Sequence, residues 1–348
     1  MAKALRSGGV TIKDVAASIG LAHSTVSRAL NDHPGIGEET KVLVRRAAAN
    51  LNYVANSGAR LMRLGTSRVV GLILPDIEND FYNSATRIMA EFCDAENFQL
   101  LLAVSEDDPE KECKQVLAFR EARVAGLVIA ATLNPKRETA QMLRQLPAVQ
   151  FLRRHASIRS PSIRADDSRG LHIATDHLVS LGHKRIAFIG VHPQLSTGKD
   201  RLDGYRQSLA AAGIAEVPQY VRTGSSQPAF ARETLIDLLA LPAPPSAVVV
   251  ASPRLVLGVL DVISQQNISV PDALSLVAYS DVEWFRTWRP AITAVALPTA
   301  AMATTAASLL FRTIRKPDEN DIEFCAPFEP TLLVRSSTGP APRGGASR

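Results

Sequence analysis

Small polar side chains and one arginine share the outer side of a short predicted helix near the start of the chain. The sequence STVSRAL at residues 24–30 predicts this helix, because Val26, Ala29 and Leu30 recur at helical spacing and face inward. The hydroxyl groups and the Arg28 guanidinium on the other side suit a DNA groove better than a protein core. The same pattern also fits an amphipathic helix of any small bundle, so the spacing alone leaves both interpretations open.

A second short helix precedes this one and completes a two-helix motif. Gly20 ends an apolar stripe that is formed by Ile12, Val15, Ala16 and Ile19. Thr11 is placed to cap the start of the helix, where the negative charge of Asp14 is favourable. Two short helices separated by a turn that contains glycine are typical of a helix-turn-helix.

A third helix is predicted after the turn-rich segment NDHPGIGEET. Glu38 and Glu39 fall in its first turn, where carboxylates are favoured, and its predicted core contacts are Val42, Leu43, Ala47 and Leu51. Positive charge is concentrated around these helices, since residues 1–68 carry ten Lys and Arg against four Asp and Glu, whereas the other 280 residues sum to −1. A basic segment of this kind favours a polyanionic partner.

Other residue patterns with chemical meaning are scarce. Cys93, Cys113 and Cys325 are scattered and odd in number, which indicates idle thiols in a reducing compartment rather than disulfides or a metal site. The seven histidines are dispersed, and the sequence lacks GxGxxG after a strand, GxxxxGKS/T, GxSxG and HExxH. We therefore expect no catalysis, no metal and no cofactor. The first ten residues hold no apolar signal segment and no apolar run approaches ~18 residues, so we expect a cytoplasmic protein.

Beyond a short basic and apolar segment, the chain changes to alternating strands and helices. Apolar strands are predicted in two series, at 69–74, 100–104, 126–130 and 149–152, and at 186–189, 247–251, 276–278 and 292–296. Near-continuous apolar strands separated by helices are typical of parallel sheets covered on both faces. The predicted fold is α/β: a three-helix head and two doubly wound lobes with a ligand cleft between them.

Several ordered blocks of the sequence resemble the lac repressor (LacI/GalR) family of bacterial transcription regulators. TIKDVAASIGLAHSTVSRALN is similar to the helix-turn-helix of that family, GIGEETKVLVRRAAANLNYVAN to its third helix, and VVGLILPDIENDFY to the start of its effector domain. HLVSLGHKRIAFIG, RLDGYRQSL and ISVPDALSLVAYSD resemble later blocks. The resemblance implies a homodimer on a palindromic operator and a hinge that becomes helical on DNA. It also implies a two-lobed core like periplasmic sugar-binding proteins, in which a small-molecule effector changes the hinge geometry.

By position, the resemblance assigns DNA contacts to residues of the head. His23, Ser24 and Arg28 match base-reading positions, and an arginine that bonds guanine O6 and N7 discriminates between bases by about 1–3 kcal/mol. Phosphate or backbone contacts are implied for Thr11, Ser27, Asn31, Tyr53 and Asn56. Ala22 departs from the family pattern, because a serine usually caps this helix and the loss of a cap costs about 0.5–2 kcal/mol.

In the implied hinge, the minor-groove residues are Arg60, Leu61 and Met62. Met62 stands where the family usually carries a leucine that wedges into the minor groove and kinks the DNA. Its flexible apolar side chain can still intercalate, though less rigidly. The alternative is that Met62 only packs between the two hinge helices.

The effector cleft departs furthest from the family pattern. The implied binding residues are Phe81, Tyr82, Arg153, Arg201, Ser252, Ser280 and Asp281. Arg153 and Ser280 stand where the family carries aspartates, and Ser252-Pro253 replaces Asn-Asp. Because acceptors for neutral sugars are lost and a cation is gained, Arg153 and Arg201 are predicted to share an anion, such as a sugar acid or a phosphorylated metabolite. The alternative is that Arg153 turns outward or pairs with Asp166 or Asp167.

The predicted domains are a helix-turn-helix domain at 1–55, a hinge and linker at 56–67, an effector-binding and dimerisation domain at 68–337, and a disordered tail at 338–348. The expected function is a nucleoid-associated repressor with a small-molecule effector. An activator or a corepressor-dependent regulator is the alternative within the family, since both use the same two-state hinge. Outside the family, the alternative is a solute-binding protein, which would need a signal peptide and no basic head.

Overall fold

The computed structural model describes residues 10–53, 67–316 and 326–342, and the chain divides into two compact units at residues 67 and 68. The predicted hinge residues Asn56, Arg60, Leu61 and Met62 lie outside the described residues, as does Cys325.

Three short helices make up the first unit. They span Ile12–Ile19 (α1), His23–Leu30 (α2) and Glu38–Asn50 (α3). Gly20 ends α1 with φ at 67°, a left-handed conformation that favours glycine and turns the chain toward α2. Val15, Val26 and Val44 are fully buried, one from each helix, so the small core lies where the three helices meet.

The face that α3 buries differs from the predicted one. Val42 and Leu43, which were expected in the core, are 60% and 48% exposed, whereas Val44 and Ala48 are buried. Positions three or four apart share one helix face, and the face of Val44 and Ala48 is the one that meets α1 and α2. The prediction for Val42 and Leu43 is therefore wrong, because residue type alone does not set the rotation of a helix against its neighbours.

Lobe 1 of the second unit is built on five parallel strands in the order β2-β1-β3-β4-β5. The strands span Val69–Leu74 (β1), Gln99–Val104 (β2), Gly126–Ile129 (β3), Ala148–Phe151 (β4) and Ser162–Ile163 (β5). The helices of this lobe are Asp80–Ala95 (α4), Pro109–Glu121 (α5), Arg137–Leu143 (α6) and, from late in the chain, Thr299–Arg315 (α11).

Lobe 2 has six strands in the order β11-β10-β9-β8-β6-β7, all parallel except β11. They span Ile186–Val191 (β6), Val221–Gly224 (β7), Ala247–Val250 (β8), Ser275–Tyr279 (β9), Thr293–Ala296 (β10) and Thr331–Leu333 (β11). Its helices are Asp167–Ser180 (α7), Ser196–Ala211 (α8), Pro228–Leu239 (α9) and Pro253–Gln265 (α10). Apolar clusters cover both faces of each sheet, which explains the near-continuous apolar sequence of the central strands.

Two of the segments that cross between the lobes run side by side. The Asp166 N–H donates to the Phe328 carbonyl at 2.8 Å, and the Phe328 N–H donates to the Arg164 carbonyl at 2.9 Å. Leu297, on a further crossing between β10 and α11, packs against the cores of both lobes. Short crossings of this kind allow one lobe to move against the other.

All eight predicted strands are present within two residues of their predicted bounds. Three further strands were not predicted. β5 has two residues, while β7 and β11 lie at sheet edges and lack the continuous burial of the central strands. Apolar content alone does not identify such strands.

The predicted disorder from residue 338 is wrong as far as the structure describes the tail, which is through residue 342. The neighbouring Ser337 is fully buried, and its hydroxyl donates to the Leu276 carbonyl at 2.6 Å. The Gly339 N–H donates to Ser275 Oγ at 3.1 Å, and the Ala341 N–H donates to the Leu181 carbonyl at 2.9 Å. These bonds are tertiary, so the Gly, Pro and Ser content of the tail carries no signal of them.

Candidate functional site

The outer face of α2 presents the side chains that sequence comparison assigns to base reading. His23, Ser24 and Arg28 are exposed, while Val26 and Ala29 are fully buried on the inner face. Ser24 and Arg28 are four residues apart and therefore lie above one another on the same side of the helix. The head thus holds a donor-rich helix face that is available to a major groove.

The start of α2 has no side-chain cap, as its sequence predicts. Ala22 is the N-cap residue, and only its carbonyl serves the helix, accepting from the Thr25 N–H at 3.0 Å. The start of α1 differs, because the Asp14 carboxylate accepts from the Thr11 N–H at 2.8 Å and from the Thr11 hydroxyl at 2.7 Å. Helix α2 therefore depends on the packing of its inner face.

The residues that are predicted to contact phosphate lie around this helix and differ in how exposed they are. Thr11 and Asn31 are exposed, and Ser27 and Tyr53 are half-buried. Asn31 Nδ2 donates to the Ser27 carbonyl at 2.6 Å and thereby extends the end of α2. Tyr53 packs against the core of the head, so a structural role accounts for its ring.

A cavity lies between the two lobes, at the carboxyl ends of the parallel strands. The residues that line it are Pro75, Asp76, Asn79, Phe81, Tyr82, Leu152, Arg153, Val191, Thr197, Arg201, Ser226, Ser252, Pro253, Tyr279, Ser280 and Leu297. Six of the seven predicted effector residues are among them. Asp281 is not, because both of its carboxylate oxygens are bound by Arg335, at 2.7 and 2.8 Å.

Arg201 is fixed on the lobe 2 side of the cavity by three contacts. Its Nε donates to Asp167 Oδ1 at 2.8 Å, its Nη1 donates to the Ala251 carbonyl at 2.7 Å, and its guanidinium lies 4.3 Å from the ring centroid of Tyr279. Burial by itself lowers the pKa of Arg201, but Asp167, together with Tyr279 and Tyr82, more than offsets this and the net pKa is raised. The side chain is therefore a permanent cation held through Nε and Nη1, and a guanidinium has five N–H donors, more than these two bonds use.

Arg153 occupies the equivalent position on the lobe 1 side. It follows Leu152, whose left-handed φ of 62° turns the chain sharply after β4. Arg153 is only 7% exposed and forms a two-pronged pair with Asp107, with Nη2 at 3.3 Å from Oδ2. Both parts of the sequence-based alternative are therefore wrong, since the side chain is buried and its partner is neither Asp166 nor Asp167.

The Tyr82 phenol lies under the influence of both Arg–Asp pairs. Burial raises its pKa, and the charges of Arg153, Asp107, Arg201 and Asp167 all act on it. Each of the two arginines is matched by an aspartate and Asp76 also lines the cavity, so the positive charge of the arginines is offset, yet the lining is rich in N–H and O–H donors from Arg, Asn, Ser, Thr and Tyr. Such a site suits a ligand with many acceptor oxygens.

Sequence comparison did not identify Asp107 and Asp167 as partners of the two arginines, or Tyr279 as a residue of the cavity lining. Asp107 follows β2 in a left-handed conformation with φ at 58°, and Asp167 starts α7 beside the crossing segment. The one signal for Tyr279 was its place in the AYSD block. The pairing of these residues depends on which strand ends meet in space, and that is a tertiary property.

Within the described ranges 10–53, 67–316 and 326–342, no group of three or more His, Cys, Asp and Glu side chains is arranged to hold a metal ion. In the same part of the chain, no helix is both long enough and apolar enough to cross a membrane.

A helix-turn-helix head and two parallel-sheet lobes around an interlobe cavity define a class of DNA-binding regulators. Residues 11–56 match the family described as bacterial regulatory proteins, lacI family, and residues 175–338 match a periplasmic binding protein-like domain. The HTH-type transcriptional regulator GalR of Escherichia coli K12 is 30% identical over 329 residues, or 94% of this chain and 95% of that protein. The HTH-type transcriptional repressor PurR of Glaesserella parasuis is 27% identical over 94% of this chain and 98% of that protein.

Solved structures agree with this match. The lac repressor dimer bound to operator and the anti-inducer ONPF has a TM-score of 0.83 and 21% identity, covering 95% of this chain and 100% of that one. The complex of the transcriptional regulator CelR with cellobiose has a TM-score of 0.70 and 26% identity, covering 94% and 99%. The chain belongs to the lacI family of bacterial regulatory proteins. It is a DNA-binding transcriptional regulator and not an enzyme.

Proposed function

We propose that this regulator is a cytoplasmic repressor that binds a palindromic operator as a homodimer and responds to a small-molecule effector in the interlobe cavity. The observation that carries the proposal is the exposed face of α2, with His23, Ser24 and Arg28, in a helix-turn-helix of this family. Two relatives support it, since PurR is named a repressor and the lac repressor structure is a dimer on its operator.

Selection of DNA from a random library by the purified protein, followed by sequencing, tests the base-reading role. Arg28→Ala should relax the selected sequence at one position of each half-site by about 5- to 150-fold, which corresponds to about 1–3 kcal/mol. Ser27→Ala is the matched control, because loss of a phosphate contact weakens binding to all sequences alike. An unchanged selected sequence for Arg28→Ala would contradict the assignment, as would operator binding that survives deletion of residues 1–66.

The homodimer is supported by two leucines on the edge strand β2. Leu101 and Leu102 are 47% and 39% exposed, and an apolar edge strand of this kind tends to pair with another chain unless it is covered. Leu101→Lys should shift the sedimentation coefficient toward the monomer. Leu333→Lys, on the edge strand β11 of the other sheet, where Leu333 is 38% exposed, should leave it unchanged.

The role of the hinge remains a proposal from the sequence. Met62 wedges into the minor groove at the centre of the operator and kinks it. Measured by energy transfer between the two ends of an operator duplex, bending should decrease with Met62→Ala and persist with Met62→Leu. Equal bending by the wild type and Met62→Ala would instead support packing of Met62 between the two hinge helices.

The effector is proposed to be an anionic sugar derivative, such as a sugar acid or a phosphorylated metabolite. Arg153 and Arg201 line one cavity, and each keeps guanidinium N–H groups beyond those that bind Asp107 and Asp167. Arginine suits carboxylate and phosphate because its donors match their geometry. The anion shares the two arginines with their aspartates and does not replace them.

Titration calorimetry with sugar acids and with the corresponding neutral alcohols tests this effector class. The acids should bind more tightly, and Arg153→Gln should remove the preference, while Arg159→Gln, an exposed site nearby, should keep it. Preference for the neutral compounds would contradict the proposal. Operator affinity measured with and without the bound acid then gives the sign of the response: weaker binding means induction, and tighter binding means that the effector is a corepressor.

A further inference from the structure

An arginine of lobe 2 reaches across the cleft to two carboxylates of lobe 1. Arg254 stands in the first turn of α10, with Nε 3.3 Å from Asp76 Oδ2 and Nη2 paired with Glu78. The side chains of Arg254 and Asp76 are 13% and 20% exposed, so their attraction is partly shielded from solvent, whereas Glu78 is 66% exposed. These charges meet only when the lobes are together.

The ion pair lies at the junction of two spaces in the cleft. The inner cavity adjoins an outer space in the cleft, and the residues that line both are Pro75, Asp76, Val191 and Ser226. Arg254 Nη2 also donates to Gln227 Oε1 at 3.3 Å, on the residue that follows Ser226. The arginine therefore bridges the two lobes beside residues that line both spaces.

Other polar contacts also join the lobes. Arg154 Nη2 lies 3.4 Å from Asp200 Oδ2, and burial raises the pKa of that aspartate despite the opposing effect of Arg154. Trp284 Nε1 donates to Asp80 Oδ2 at 3.4 Å. Neither brings two carboxylates to one cation, as Arg254 does.

We propose that Arg254 is a clasp residue, whose ion pairs with Asp76 and Glu78 bias the two lobes toward the closed arrangement. A contact that exists in only one of two arrangements stabilises that arrangement by its own interaction energy. It thereby changes the ratio of their populations, whether or not a ligand is bound. For a partly shielded pair, this is a shift of about fivefold in the closed-to-open ratio. The bias is supplied by the protein and does not depend on the identity of the effector.

Distances between spin labels on the two lobes of the full-length protein test the clasp directly. Lys114 of lobe 1 and Glu233 of lobe 2 are exposed labelling sites, each changed to cysteine in a background with Cys93, Cys113 and Cys325 replaced by alanine. Arg254→Gln should shift the distribution toward longer distances by about fivefold in population ratio. Arg254→Lys should retain most of the closed population, since it keeps the charge.

Arg232→Gln is the matched control, because Arg232 forms an exposed ion pair with Asp261 within lobe 2, at 3.1 Å. It should leave the distances unchanged. Glu78→Gln should open the lobes by less than Arg254→Gln. In the double variant, it should add no further opening to that of Arg254→Gln. If Arg254→Gln does not fold, Glu78→Gln is the deciding variant. High salt should open the wild type more than Arg254→Gln. An unchanged distribution for both Arg254→Gln and Glu78→Gln, or an equal shift with Arg232→Gln, would overturn the proposal. The readout needs neither DNA nor effector, so it is separate from the tests of the repressor function.

Discussion

Arg201 and Asp167 form a buried ion pair at the base of the interlobe cavity, with Nε 2.8 Å from Oδ1 and with side chains 7% and 3% exposed. Removal of one partner from such a pair leaves a charge that is buried and uncompensated, and this costs far more than the pair itself contributes. The pair is therefore a structural element of lobe 2 as well as a wall of the ligand site.

Asp167→Ala should lower the free energy of unfolding by about 3–5 kcal/mol, because Arg201 remains buried without its counter-charge. Urea unfolding followed by circular dichroism measures this loss. Asp203→Ala is the control, since Asp203 forms an exposed pair with Lys199 on α8 and should cost about 0–1 kcal/mol. Equal losses for the two variants would contradict the role assigned to the buried pair.

Ala22→Ser should stabilise the start of α2. A serine hydroxyl at the N-cap can accept from the backbone N–H of Ser24 or Thr25, which is worth about 0.5–2 kcal/mol. Hydrogen exchange of the α2 amides should then slow by about 2- to 30-fold. Ala17→Ser, the same chemical change at an exposed position of α1, should give no such slowing in α2.

Glu112 predicts a pH dependence that is opposite to that of a salt-bridged acid. It is fully buried, with Oε2 accepting from the Thr132 N–H at 2.7 Å and no hydrogen bond to Oε1 within the described residues. Burial raises the pKa of its carboxyl above 4.5. The folded state then binds the proton more tightly than the unfolded state, so stability is highest below 4.5 and falls as pH rises through the folded pKa.

Glu112→Gln should remove this fall, because the amide keeps an acceptor for the Thr132 N–H and carries no charge. Urea unfolding over a series of pH values measures the profile. Glu121→Gln, at the exposed end of the same helix, should preserve the wild-type slope. A wild-type slope that survives in Glu112→Gln would assign the pH dependence to other groups.

Ser337→Ala should destabilise lobe 2 although it lies at the edge of the tail. The Ser337 hydroxyl accepts from the Thr293 N–H at 2.8 Å and donates to the Leu276 carbonyl at 2.6 Å. A buried backbone group left without its partner costs about 1–3 kcal/mol. Thermal or urea unfolding should detect this loss, while Ser336→Ala, at an exposed position one residue earlier, should change little.

Local periodicity was sufficient to predict the helices of the head and eight of the strands. Val15 and Val26 recur at helical spacing with the apolar residues around them, and strands such as β1 and β8 are apolar along their whole length. These features follow from the sequence because a helix or a buried strand is defined by neighbours a few residues away. Alignment by position likewise placed Tyr82, Arg153 and Arg201 in the cavity.

Only the tertiary structure decided which charges meet. Asp107 lies 46 residues from Arg153, and Asp167 lies 34 residues from Arg201. The contact of Arg254 with Asp76 joins different lobes, and the binding of Ser337 joins the tail to β9 and β10. Coulomb attraction and hydrogen bonding depend on distance in space, and residues this far apart in the chain are brought within 4 Å by sheet order and lobe closure. The sequence by itself therefore determined the elements and the family, while the ion pairs that shape the cleft were decided by the folded chain.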